Sequence, residues 1–115
     1  MPTEYALIDG MLSVRFPGSA ELKLQLDSPD LRVTSLGEIL RIDFLTRPTV
    51  YSKCENQVPV EARSHDIDGM DISVSLHVVD GLLYEIEVYR LDGNGISQPP
   101  APESLQDYFV VGKPF

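Results

Sequence analysis

The sequence predicts an α+β domain of two layers, with N-terminal helices packed on one face of an antiparallel sheet of about five strands. Three observations carry that prediction. Apolar residues in the first 16 positions recur at helical spacing. Two copies of an apolar-Asp-Gly device, Ile67-Asp68-Gly69 and Val79-Asp80-Gly81, separate runs that alternate with period two. At 115 residues the chain suits one modest core, and its 43% apolar content is enough to fill it. The domain divides into a helical region 1–27, a sheet region 31–96, and a Pro-rich linker with an apolar tail over 97–115.

In residues 3–16 the positions Leu7, Ile8, Met11, Leu12 and Phe16 form one stripe, with Thr3 as the expected cap and Pro17 as the stop. Residues 19–27, SAELKLQLD, alternate like a strand but are built from helix formers. The spacing is read as a short helix with Ser19 as its N-cap. Residues 31–35 and 38–45 are expected to pair through a two-residue connection at Leu36-Gly37, setting Val33 opposite Leu40 and Leu31 opposite Ile42. Residues 46–57 are polar and carry Pro48, which predicts a long connection with Val50 and Tyr51 packed down.

The Asp-Gly devices set the register of the later strands. A two-residue turn at Asp80-Gly81 would oppose Leu76 to Glu85 and Val74 to Glu87, placing carboxylates in the core at high cost. A three-residue loop, Val79-Asp80-Gly81, instead opposes Val78 to Leu82, Leu76 to Tyr84, Val74 to Ile86 and Ile72 to Val88. The same rule at Ile67-Asp68-Gly69 opposes Asp66 to Met70, Ser64 to Ile72, Ala62 to Val74 and Val60 to Leu76. The result is a meander of strands 58–66, 70–78 and 82–90, with glycine at the left-handed position of each loop. Its outer face is expected to carry the rows Glu61-Ser75-Glu85, Arg63-Ser73-Glu87, His65-Asp71-Tyr89 and Pro59-His77-Leu83. After it, SQPPAPES reads as a linker, and LQDYFVV as a helical turn leading into a short apolar segment.

Charge narrows the partners. Residues 1–50 carry 7 acids and 5 bases, and residues 51–115 carry 11 acids and 4 bases, so the second half holds −7 of the net −9. Such a field repels nucleic acid and anionic membrane and attracts basic proteins. No apolar run reaches the roughly 18 residues of a membrane span. The start MPTEYALIDG has no basic and apolar leader, so no secretory signal is expected. One cysteine, Cys54, forms no intrachain disulfide and suits a reducing cytoplasm.

The aspartates of 66–71 do not have calcium-loop spacing. His65 and His77 share a face but stand roughly 20 Å apart at 3.3 Å per residue, too far to share zinc. Cys54 has no local histidine base. Glu85 and Glu87 stand roughly 7 Å apart on a strand, but an open sheet face excludes no water, so glycoside chemistry is not expected there. No cofactor, metal or catalytic residue is assigned, and the chain is expected not to be an enzyme. The candidate partner-binding residues are Glu61, Asp71, Glu85, Glu87 and Tyr89, which share the outer face, with the aromatic as anchor and the carboxylates as steering groups.

The stretch VSLHVVDGLLYEIEVYRLDGNGI, together with FPGSAELKLQL nearer the start, resembles a group of short bacterial proteins of uncharacterised function. These proteins share a valine-Asp-Gly turn, an acidic-apolar alternation, an aromatic and a later Asp-Gly. They are placed alongside immunity proteins of bacterial toxin systems, so the resemblance implies an inhibitor that neutralises a basic toxin such as a nuclease. The alternative readings are a small-ligand-binding domain and a structural, homo-oligomeric one. The resemblance assigns no functional residues.

Overall fold

The computed structural model describes residues 3–46, 50–97 and 100–110. Helices α1 (Thr3–Leu12) and α2 (Ser19–Leu26) precede strands β1 (Leu31–Ser35), β2 (Ile39–Phe44), β3 (Val60–His65), β4 (Asp71–Val79), β5 (Leu82–Arg90) and β6 (Gln106–Val110). The strands form one antiparallel sheet of order β1-β2-β5-β4-β3-β6. The α+β architecture is the expected one, with six strands where about five were expected.

Both helices lie on one face. Leu7, Ile8 and Met11 from α1 and Leu22 and Leu26 from α2 meet Leu40, Ile42, Val60, Ala62, Ile72, Val74, Leu76, Ile86 and Val88 from the sheet in a single buried cluster. α1 is shorter than its apolar stripe. It stops at Leu12, where the Ser13 hydroxyl donates to the Gly10 carbonyl at 2.6 Å and draws the last turn closed. Phe16 still reaches the core from the connection. The expected Thr3 cap rests on a side chain outside those described. Ser19 is the first residue of α2 rather than its cap. Gly18, in the left-handed region at φ 90°, takes the cap position, and the Ser19 hydroxyl accepts from the Phe16 N–H at 3.3 Å.

The registers test the pairings expected from the sequence. β3 and β4 pair as read, Val60 with Leu76, Ala62 with Val74 and Ser64 with Ile72. The 67–69 loop is closed by the Asp66 N–H on the Met70 carbonyl at 2.9 Å, and Gly69 has positive φ. The β1–β2 hairpin keeps its apolar face but is displaced by two residues. Val33 faces Ile42 and Leu31 faces Phe44, because the turn is Gly37-Glu38 and not Leu36-Gly37. The Leu36 N–H donates to the Ile39 carbonyl at 2.8 Å, and Gly37 alone of the two central residues takes positive φ, as a type II′ turn requires.

At β4–β5 the three-residue loop is overturned. Val79 pairs with Leu82 across a two-residue Asp80-Gly81 turn whose φ values of 52° and 78° are those of type I′. The register then shifts between His77 and Val78, leaving Tyr84 as the extra residue of a β-bulge. Parity demanded one surplus residue to keep the carboxylates out of the core, and the chain places it inside β5 instead of in the turn. His77 therefore faces Glu85, and Ser75 faces Glu87.

Two expectations about connections are also corrected. Tyr51 is exposed at 42% and not packed down, and the segment is held by its backbone. The Ser52 N–H donates to the Gly81 carbonyl at 2.9 Å, and the Val50 carbonyl accepts from Gln25 at 3.0 Å. Nor is the Pro-rich stretch a free linker. Its described part buries Pro100 and Leu105, forms a 3-10 turn at Pro102–Ser104, and carries the chain over the helix side of the sheet into β6 on the far side of β3. The Ser104 and Ser64 hydroxyls meet at 2.7 Å on the way. Gln98, Pro99 and residues 111–115 lie outside the described residues, as do 47–49.

Gln25, 1% exposed, ties the two layers together. Its amide N–H groups donate to the carbonyls of Gly81 at 2.8 Å and Val50, and its oxygen accepts the Leu83 N–H at 2.9 Å. Gln25→Leu takes this partner from the Leu83 N–H and the Val50 carbonyl, while the Gly81 carbonyl keeps the Ser52 N–H, and is expected to destabilise by about 2–4 kcal/mol, read as a lower denaturant midpoint at unchanged slope. A β-carbon on Gly81 would lie 2.7 Å from the Ser52 carbonyl oxygen, whereas one on Gly69 meets open space. Gly81→Val should thus cost more than about 2 kcal/mol, and Gly69→Ala, at equally positive φ, about 1 kcal/mol.

Candidate functional site

The helices occupy one face of the sheet, and among the described elements none packs on the other. The pleat sends alternate residues to that uncovered face, and the observed registers arrange them in rungs. One rung runs Ile39, Glu87, Ser75, Glu61 and Phe109 across β2, β5, β4, β3 and β6. Beside it lie Arg41, Glu85 and His77 on one side, and Tyr89, Ser73 and Arg63 on the other. Asp71 and His65 form the last pair. All five residues chosen from the sequence, Glu61, Asp71, Glu85, Glu87 and Tyr89, therefore stand on this face. Their rows differ from the expected ones by one rung on β5: Glu61 shares a rung with Glu87 and not Glu85, and Tyr89 lies across from Ser73 and not Asp71.

The face carries both signs of charge, because β2 borders β5 and brings Arg41 opposite Glu85. Its centre is pre-ordered. Glu61 accepts from the Ser73 and Ser75 hydroxyls, each at 3.3 Å. Arg63 donates to the Ser73 hydroxyl at 2.9 Å and lies 5.7 Å from the centre of the Phe109 ring, a cation–π contact. The small serines are roofed by these long side chains and are buried although they face outward. His77 Nε2 stands 3.5 Å from the Glu87 carboxylate, and His65 Nε2 stands 3.1 Å from Asp71. Tyr89 remains exposed among them.

Two open hollows flank this centre. One, of about 490 Å³, is lined by Arg63, His65, Asp71, Gln106, Tyr108 and Phe109. The other, of about 440 Å³, lies at the opposite end of β4, between β2 and the turn into β5. Cys54 is half-buried, its thiol donating to the Asn56 carbonyl at 3.3 Å, and burial pushes its pKa up, away from nucleophilic character.

The sequence reading missed the assembly that the Asp-Gly devices build. Arg90 closes β5 on the core side of the sheet, opposite Ile72, with its side chain 8% exposed. It has five contacts to three carboxylates: Nη1 to Asp66 at 2.9 Å and Asp68 at 3.1 Å, Nη2 to Asp68 at 3.0 Å and Asp92 at 2.7 Å, and Nε to Asp92 at 3.0 Å. These match its five N–H donors. The fully buried Asp66 side chain also accepts the Ile67 N–H at 2.9 Å and the Ser97 N–H at 2.8 Å. A guanidinium thus stands where the three aspartates converge. Among the described residues no group of His, Cys, Asp and Glu is placed to hold a metal ion. A signal was present in the sequence: Arg90 is the one base amid DIDG and LDGNG.

Each carboxyl of this knot is held below the usual range. The Ser97 N–H does most for Asp66, followed by Arg90. The Met70 N–H does most for Asp68, again followed by Arg90. For Asp92 it is Arg90 itself, then the Asn94 N–H.

The fold and its uncovered face define the class, a small two-layer α+β domain with one helical layer and one bare sheet face. Residues 1–100 match the model of a domain of unknown function, DUF6984, and the chain belongs to that family. β6, at 106–110, lies beyond the matched stretch. No curated protein and no solved structure matches the chain. No described helix is long and apolar enough to cross a membrane.

The knot fixes the direction of the pH response. Folded pKa values lower than unfolded ones mean that the unfolded chain binds more protons in acid. The stabilisation is complete above about pH 4–5 and is lost as pH falls through the folded values. Denaturant midpoints should decline steadily on acidification, and Asp66→Asn should lower the neutral midpoint and make the acid decline shallower. Arg90→Lys, which keeps the charge but loses the planar fork, should not restore the wild-type midpoint.

Proposed function

We propose that this domain binds a basic protein through its uncovered sheet face, without catalysis, and that it acts in the cytoplasm as an immunity protein neutralising a basic toxin such as a nuclease. The observation that carries this reading is the gathering of Glu61, Asp71, Glu85, Glu87 and Tyr89 on one face that no described element covers. Tyr89 supplies a rigid aromatic anchor. The carboxylates, in the half of the chain carrying most of the net charge, accelerate and orient encounter. The serine-braced Glu61 is already fixed before binding, so less ordering entropy is lost on contact. The alternative of a homo-oligomeric structural domain draws on the exposed Phe109 and Val110 of the edge strand β6. It would show as a doubled mass in sedimentation, lost on Phe109→Ser.

The test starts with capture of the partner from the native cell extract by the purified protein. Association of the identified partner should slow markedly between about 0.05 and 0.5 M salt as the Debye length contracts. Glu85→Lys with Glu87→Lys should slow it further at low salt, and Tyr89→Ala should weaken affinity at least about fivefold, chiefly through faster dissociation. A partner that binds the charge-reversed protein as fast as wild type sinks the reading.

A further inference from the structure

The ladder between β2 and β5 is incomplete. It pairs Ile39, Leu40 and Arg41 with Glu87, Ile86 and Glu85, and goes no further, although β2 runs on to Phe44 and β5 begins at Leu82. The bulge residue Tyr84 stands where the next pair would form, and added twist at a bulge turns one strand away from its neighbour. The divergence leaves the groove of about 440 Å³. Ile42 and Leu83, both buried in the core, contribute to its floor, and Phe44, Leu45, Tyr51, Val79 and Tyr84 line it further. Leu45, Tyr51, Val79 and Tyr84 are four of the eleven exposed large apolar residues among those described. Their convergence on one hollow makes a patch of what would otherwise be scattered surface residues.

Two carboxylates, Asp43 and Asp80, also line the groove. Among the described residues neither has a cationic partner within ion-pairing distance, in contrast to the fully paired aspartates of the Arg90 knot. An apolar hollow between two unpaired carboxylates is complementary to an apolar side chain flanked by basic ones.

We propose that this groove is the docking site for an apolar residue flanked by lysine or arginine on the surface of a basic protein partner. The proposal rests on the reading of the uncovered face as a protein-binding surface and names the second contact of that surface. The groove is continuous with the face through Glu85, which directly succeeds Tyr84. A partner crossing from Tyr89 to Tyr84 would meet the carboxylates of Glu87 and Glu85 on the way.

The experiment records amide shifts of the isotope-labelled full chain on titration with an N-acetylated, C-amidated lysine-leucine-phenylalanine-lysine peptide. Two control peptides replace the lysines by glutamates or the apolar pair by glycines. Shifts confined to residues 42–46, 51 and 79–84, absent with both controls, are expected. Tyr84→Ser, and Asp43→Asn with Asp80→Asn, should each weaken the peptide at least about fivefold. Asparagine tolerates the positive φ of position 80, so the turn is retained, and an otherwise unchanged spectrum verifies it. No shift at millimolar peptide, equal binding of the glutamate control, or shifts centred on Glu61 and Asp71 overturns the proposal. Peptide binding in the groove together with a partner indifferent to charge reversal at Glu85 and Glu87 would sink the acidic-face reading and leave the groove standing. The reverse pair of results would sink the groove alone.

Discussion

The domain depends on the five-fold engagement of Arg90. One guanidinium, drawn almost wholly out of water, joins three separate pieces of chain: the β3–β4 loop through Asp66 and Asp68, the end of β5 itself, and the turn after it through Asp92. Asp66 extends the joint to the Ser97 N–H, where the chain sets off across the sheet toward β6. A buried charge is costly alone, and it is tolerated here because every donor is matched. Removal of any one carboxylate leaves the others around an under-paired cation, so the knot behaves as a unit. Its product is geometric, since it fixes where the meander ends and where the crossing connection begins.

A second polar joint, around Gln25, sits at the other end of β4. Between the two joints the core is apolar. The pairing of polar ends with a greasy middle explains why the sheet holds its order although the helices cover only one side. It also explains how the outer face is free to carry charges and aromatics for other purposes. The edges are guarded as well. The Leu31 carbonyl on β1 accepts from both the Tyr5 hydroxyl and Arg32, and β6 is broken from regular pairing by a register shift near Arg63 and by Asp107 at φ 52°. Both devices discourage strand addition to a sheet whose outer strands are otherwise open.

Much of the fold was legible because period-two alternation and Asp-Gly turns are local signals. β3 against β4 came out in the right register, since its loop carries the surplus residue itself. β4 against β5 did not. Parity alone says that one residue must be extra, but it does not say whether that residue lies in the turn or in the strand. The choice is made by contacts distant in sequence, with Ser52 and Gln25 gripping Gly81 in its tight turn. The sixth strand was hidden behind prolines that read as a linker. The five face residues were found because pleat parity survives a shift of two. The Arg90 knot was overlooked because aspartates near glycine suggest a cation, and the cation was sought outside the chain.

The surplus residue in β5 also bears on how such a surface arises and is lost. Tyr84 is one codon. Its deletion would restore unbroken alternation between β4 and β5, with Leu83 still opposite Val78 and Leu82 still opposite Val79, and would remove the divergence that opens the groove. A single in-frame loss is therefore a change of topography and not a point change, and insertions and deletions here, more than substitutions, would be the events that separate relatives with a groove from relatives without one.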